Sequence, residues 1–280
     1  MDTQNIINSL NTVFEKLFKS IESDVYEKID DLINITPELF TKSPFKKIFF
    51  QDSTNTLIII ANSLILFYVI YFVCLKLISV YNGNNTQNVY KFIIRLVFIV
   101  IFVNYSYYIC KEFVNIISLF TDCISGSLYD ISGTEVTFVN LKENIIKIDD
   151  LLKSDILSLN GIIKGIISFG SISILINFSI RYVTVIFLIT ISPFAFVSLG
   201  SELTIGVFKV WFKTLFVTLM IQVVIKFIIF IPLLYKDINS MTYKIILVGS
   251  IYIVYKINGF TKELFSKISS DVNIPNIFSG

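Results

Sequence analysis

The sequence predicts an all-α, polytopic helical membrane protein with about five transmembrane helices, and three observations lead there. Of the 280 residues, 54% are hydrophobic and 16% charged, and the mean hydropathy is +0.76, which lies outside the range of soluble globular chains. The apolar residues come in unbroken blocks instead of alternating with polar faces. Two of those blocks, within residues 161–235, each exceed the ~20 residues that carry a helix across a ~30 Å hydrocarbon core. In that whole stretch Glu202 is the only carboxylate.

The remaining composition excludes more than it suggests. The first residues, MDTQNIINSL, show no basic region followed by an apolar core, so no cleavable signal peptide is expected. Ala and Arg occur twice each while Phe, Ile, Asn and Lys abound; this is the usage of an AT-rich genome, so Phe or Ile richness is no functional signal. The net charge of +2 says nothing about nucleic acid, because cations on such a chain mostly mark membrane edges. Cys74, Cys110 and Cys123 share no metal-binding spacing. Cys110 and Cys123 could pair, although isolated apolar filling is the plainer role. The absence of histidine removes the commonest proton shuttle.

Five segments follow. Residues 1–52 hold an amphipathic N-terminal helix and a connector. Over residues 3–35 the apolar positions Ile6, Leu10, Val13, Leu17, Ile21, Val25, Ile29 and Leu32 recur at steps of three and four. That stripe suits docking on the protein's own membrane domain or on a partner better than lying in the bilayer plane, because its polar face is acid-rich. Thr36-Pro37 and Ser43-Pro44 each read as an N-cap followed by proline at the first helical position.

Residues 53–111 form a transmembrane hairpin. The first span covers about 57–75 and the second about 92–110, with Asn82-Gly83-Asn84-Asn85 as the turn. Arg95 lies close enough to an end of its span to snorkel. Residues 112–160 read as an extramembrane loop of ~50 residues, too long for a passive turn. Within it Leu141, Ile145, Ile148, Leu152, Ile156 and Leu159 mark an amphipathic helix, and Asn140 with Glu143 approximates a capping box.

Residues 161–258 are the transmembrane core of three spans, and 259–280 a polar tail. The third span starts at Gly161, and Gly161, Gly165 and Ser168 share a face on which another helix could pack closely. Nothing between Gly161 and Ser192 cuts this 32-residue run, ~48 Å as one helix. Ser192-Pro193 then breaks it. The fourth span, 207–235, opens with Lys209, Trp211 and Lys213, residue types that anchor at interfaces. The fifth, about 242–258, has only 11 uncharged residues between Lys244 and Lys256 and needs both lysines to snorkel. Five spans put the termini on opposite sides, and a slight lysine bias favours a cytoplasmic C-terminus with the N-terminus outside.

No Walker loop, dinucleotide fingerprint, metal cluster or nucleophile elbow occurs, so neither catalysis nor a cofactor is expected. The spans lack Asp, Glu and His, which argues against a proton-coupled transporter. Two intramembrane cations remain. An arginine at mid-span costs about 2.5–3.5 kcal/mol to insert, less than the surrounding Ile, Leu, Phe and Val return. Arg181 and Lys226 therefore insert and need partners: backbone carbonyls, Asn177, Gln222, lipid phosphate or water. Structural pairing by snorkelling or carbonyls fits these residues, and so does a wet, polar passage or an inter-subunit contact.

Arg181-Tyr182, Ser192-Pro193-Phe194-Ala195, Phe208-Lys209-Val210-Trp211-Phe212 and Gln222 keep one order and spacing. That pattern resembles the TrbL-like family of inner-membrane components of type IV secretion and conjugation systems. The resemblance covers residues 180–232 and implies a non-enzymatic scaffold or channel subunit. Its implied partners are other secretion subunits and their ATPases, further copies of itself in the lipid bilayer, and transiently the translocating DNA or protein. The alternative is a permease subunit or small-solute transporter.

Overall fold

The computed structural model describes residues 25–42, 56–83, 88–150, 159–201, 203–235 and 237–271, with Ser9, residues 11–13, Lys16 and Ser20 besides. Every regular element among them is helical. Helix α1 covers residues 25–33 and is followed by a single 3₁₀ turn at Pro37–Phe40. Then come α2 (Thr56–Tyr81), α3 (Val89–Asn104), α4 (Ser106–Ser132), α5 (Phe138–Asp150), α6 (Leu159–Thr190), α7 (Ser192–Val197), α8 (Ile205–Leu233) and α9 (Met241–Asp271). Half of the amphipathic stripe expected over 3–35, namely Ile6, Leu10, Leu17 and Ile21, lies outside the described residues, as does the second half of the one expected over 141–159.

Among the described residues three helices are long and apolar enough to cross a membrane: α2, α6 from Gly161, and α8. A fourth span arises if α3 and α4 count as one path, bent by 70°. The protein is thus a helical membrane protein with three or four candidate spans, where the sequence had suggested five. Two of the expected spans account for the difference. The second was expected to run to Cys110, but α3 stops at Asn104 after 16 residues, ~24 Å and short of the core thickness. Asn104 turns its Nδ2 back onto the Val100 carbonyl at 2.7 Å, the kind of local bond that competes with helix continuation. The first part of the segment expected to be a loop, residues 112–132, instead belongs to the long helix α4. The fifth expected span lies in α9, whose charged residues leave no apolar window of sufficient length.

The ends of these helices follow from their residues. Asn88 caps α3 by accepting from the Tyr90 and Lys91 amides. Gly133 closes α4 with a φ of 70°, its amide bonding the Tyr129 carbonyl at 2.8 Å, as a helix-terminating glycine does. At α5 the cap is Thr137, whose Oγ1 accepts from the Asn140 amide at 3.2 Å. The expected box of Asn140 and Glu143 is displaced by three residues, because Asn140 lies inside the helix. Helix α6 is one uncut 32-residue helix, and Pro193 opens α7 after it.

The chain divides into two compact units. The first comprises residues 1–35, 118–182 and 217–280, and the second residues 36–117 and 183–216. In the first, a continuous apolar core joins Tyr26, Ile29 and Ile33 of α1 to Phe138 and Leu141 of α5, Phe178 of α6, Ile225 of α8 and Tyr243 and Leu247 of α9. Close helix approach in this unit occurs at Gly170, where an added Cβ would stand 2.7 Å from Ile251 Cγ2. Gly170 is two residues past Ser168, round the helix from the expected face of Gly161, Gly165 and Ser168, of which Gly161 and Ser168 are buried. In the second unit α2 is mostly exposed, with 11% of its apolar window buried, and its outward Leu66, Phe67, Leu77 and Ile78 suit contact with lipid.

The 11 uncharged residues between Lys244 and Lys256 span only ~17 Å as helix. Single cysteines replacing Asp237 and Glu263, in a background without Cys74, Cys110 and Cys123, are therefore expected to label from the same side of the membrane. Labelling from opposite sides would make α9 a full span.

Candidate functional site

Polar residues of α8 at steps of four, Thr218, Gln222 and Lys226, lie along one stripe of the helix. All three are buried, and each is engaged by chain from a distant part of the first unit. Gln222 uses both ends of its amide: Nε2 donates to Thr121 Oγ1 of α4 at 3.0 Å, and Oε1 accepts from the Ile35 amide at 3.1 Å. Lys226 Nζ donates to the Val136 carbonyl at 3.0 Å. Asp30, Asp122 and Glu135 interact with it electrostatically, so this cation has carboxylates near it that its own sequence neighbourhood lacks.

Arg181 meets the same stripe from α6 and is 2% exposed. Its Nε donates to the Thr218 carbonyl at 2.8 Å and its Nη1 to the Ile33 carbonyl at 3.0 Å. Nη2 is buried with no hydrogen-bond partner among the described residues. Ile33 is the last residue of α1, where helix carbonyls lack intrahelical partners and the dipole favours a cation. Arg181 therefore acts as a C-terminal cap supplied by another helix. Charge-assisted hydrogen bonds contribute about 1.5–3 kcal/mol each, so two of them are of the same size as the insertion cost of the arginine.

The opposite polarity appears one turn earlier in α1. Asp30 Oδ1 accepts from the Phe138 amide and Oδ2 from the Val139 amide, both at 3.0 Å, so its carboxylate sits on the N-terminus of α5. Burial pushes the Asp30 carboxyl up, opposed by those two amides and by the charge of Lys226. Residues 30–35 are thus held at three points, by α5, Arg181 and Gln222. Tyr26 adds a fourth tie upstream, accepting from Ser171 Oγ at 3.3 Å. For the described part of the N-terminal segment, docking is on the protein's own helices.

Of the residues expected to carry function, the structure brings Arg181, Gln222 and Lys226 to this one network, paired with carbonyls and an amide. Asn177 is elsewhere in the unit, donating to the Tyr255 carbonyl at 3.1 Å, and it ties α6 to α9 instead of serving Arg181. In the second unit Trp211, expected as an interface anchor, is engaged by the protein's own chain. It is buried, donates from Nε1 to the Leu188 carbonyl at 2.8 Å, and packs edge-on against Phe196 at 5.5 Å. An indole with a buried donor needs such a partner, and the break at Ser192-Pro193 places Phe196 beside it. Lys209 stays exposed and Lys213 is half-buried.

Asp30, Thr121 and the backbone of Ile33 and Ile35 are the members that sequence reasoning missed. A weak signal existed, since Ile33 and Ile35 flank the end of the periodic stripe just before Thr36-Pro37. All three cysteines are free, and no cluster of three or more His, Cys, Asp or Glu that could hold a metal occurs among the described residues. No family model matches the chain, and comparisons with curated proteins and with solved structures return no match either. Fold and site together define a helical membrane protein whose intramembrane polar groups bind its own backbone.

Removing the guanidinium leaves the Ile33 carbonyl without its partner in a buried site, a loss of about 1–3 kcal/mol. Arg181→Leu is therefore expected to insert normally yet speed amide exchange in residues 26–35 about tenfold or more, with residues 221–229 unchanged. Equal exchange in both proteins would remove Arg181 from the docking of α1.

Proposed function

We propose that this chain is a non-enzymatic scaffold or channel subunit of a conjugative type IV secretion system, supporting passage of DNA or protein across the cell membrane. What supports the reading is the use made of the polar residues in the segment that resembles the TrbL-like family. Arg181, Trp211 and Gln222 all bind the protein's own backbone. Residues spent in this way hold helices together, which is what a scaffold requires. A solute transporter would need such groups turned towards a ligand path. In this reading motive force comes from ATPases that are separate proteins, and the chain works as a multimer with other secretion subunits. In this reading α2, α6 and α8 alone cross the membrane, an odd number that leaves the N-terminus outside and the C-terminus in the cytoplasm.

The test is genetic and biochemical together. Deleting the gene should abolish conjugative transfer from the host without impairing solute uptake, and a plasmid copy should restore it. Arg181→Leu, at wild-type abundance in the membrane, should transfer at least tenfold less often, with Arg181→Lys in between because an ammonium lacks the planar fork. Undiminished transfer without the gene would overturn the proposal, and a selective loss of uptake would point to a permease.

A further inference from the structure

The second unit contains a cavity that the scaffold reading does not use. It measures about 440 Å³ and is lined by Tyr68 and Phe72 of α2, by Lys91, Phe92 and Arg95 of α3, and by Ser201 in the link to α8, among others. Its walls are fixed by contacts within the unit. Phe72 and Phe92 stack at 3.5 Å between ring centroids, and Tyr68 lies 5.5 Å from Phe92. The Gly200 carbonyl accepts from the Tyr68 hydroxyl and from Arg95 Nη1 at 3.4 Å. The cavity is thus a built feature that joins both helices of the hairpin to the link after α7.

We propose that this cavity binds the phosphate of an anionic phospholipid headgroup. Lys91 and Arg95 are four residues apart, hence on one face of α3, and both are half-buried. They stand at the N-terminal end of the helix, whose dipole adds positive potential there. A guanidinium has five donors and an ammonium three, so each can take a phosphate oxygen beyond the partners it already has.

A lipid fits better than free phosphate for two reasons. Arg95 is six residues into α3, ~9 Å along its axis, close enough to the helix start for its long side chain to reach the membrane surface. Beside the cavity α2 exposes Tyr71, Leu77 and Ile78, a surface along which acyl chains can lie. The inference holds whichever assembly the chain serves.

The experiment uses the purified full-length chain in detergent, melted with phosphatidylglycerol, with phosphatidylcholine, or with inorganic phosphate. Phosphatidylglycerol should raise the melting temperature by about 2–4 °C, and the other two should leave it unchanged. The shift should vanish in the double variant Lys91→Gln, Arg95→Gln and survive in Lys91→Arg, Arg95→Lys. If the glutamine variant melts too low to compare, the phosphatidylglycerol it retains in native mass spectrometry should be at least fivefold below wild type. An equal shift with phosphatidylcholine, or one that persists in the glutamine variant, would overturn the site as an ordinary lipid annulus. A shift produced by inorganic phosphate alone would overturn the lipid as its ligand.

Discussion

A guanidinium buried among apolar helices must find hydrogen-bond acceptors, and in this protein it finds backbone. With Nε on the Thr218 carbonyl and Nη1 on the Ile33 carbonyl, Arg181 links α6, α8 and the end of α1 through one side chain. Carbonyls are good partners here because they cannot ionise, carry two lone pairs, and at a helix end are left over in any case. The rest of the network follows from that position of α1. Asp30 arrives on the N-terminus of α5, Ile35 on Gln222, and Tyr26, Ile29 and Ile33 enter the apolar core of the unit.

The same economy recurs where the chain changes direction. In the second unit the carbonyl of Gly200 collects Tyr68 and Arg95, while Trp211 takes the carbonyl of Leu188. Asn62 and Asn104 pair side chain to side chain at 3.2 Å between α2 and α3. Polar groups at membrane depth are costly unless satisfied, so each interruption of the apolar pattern becomes a tie between helices. Such ties resist sliding better than apolar packing alone, because moving one leaves two buried groups unmatched.

The long runs that form α6 and α8 could be read from residue type alone, because twenty consecutive apolar residues admit few alternatives in or out of a membrane. Arg181 and Lys226 stood out for the same reason: a charge in such a run costs too much to be incidental. Their partners were hidden because a carbonyl has no letter in a sequence and those of Ile33 and Val136 come from segments 148 and 90 residues away. The bend at Tyr105 was hidden as well, since apolar spacing continues through it and only Asn104 and Ser106 hint at a break. The partner of Trp211 was hidden too: tryptophan near a helix start suits an interface anchor and a buried donor alike, and only the fold shows its bond to the Leu188 carbonyl.

Distance measurement by solid-state NMR tests the central contact most directly, because Arg95 and Arg181 are the only arginines in the chain. With arginine ¹⁵N-labelled only in its guanidinium, ¹³C-carbonyl isoleucine and Arg95→Lys, only the Arg181 guanidinium carries the nitrogen label. The 3.0 Å bond from Nη1 to the Ile33 oxygen predicts a strong nitrogen–carbonyl coupling. Replacing Ile33 with unlabelled valine keeps the bond but removes the signal. A wild-type sample without the coupling, or a coupling that survives Ile33→Val, would show that Arg181 does not hold the end of α1.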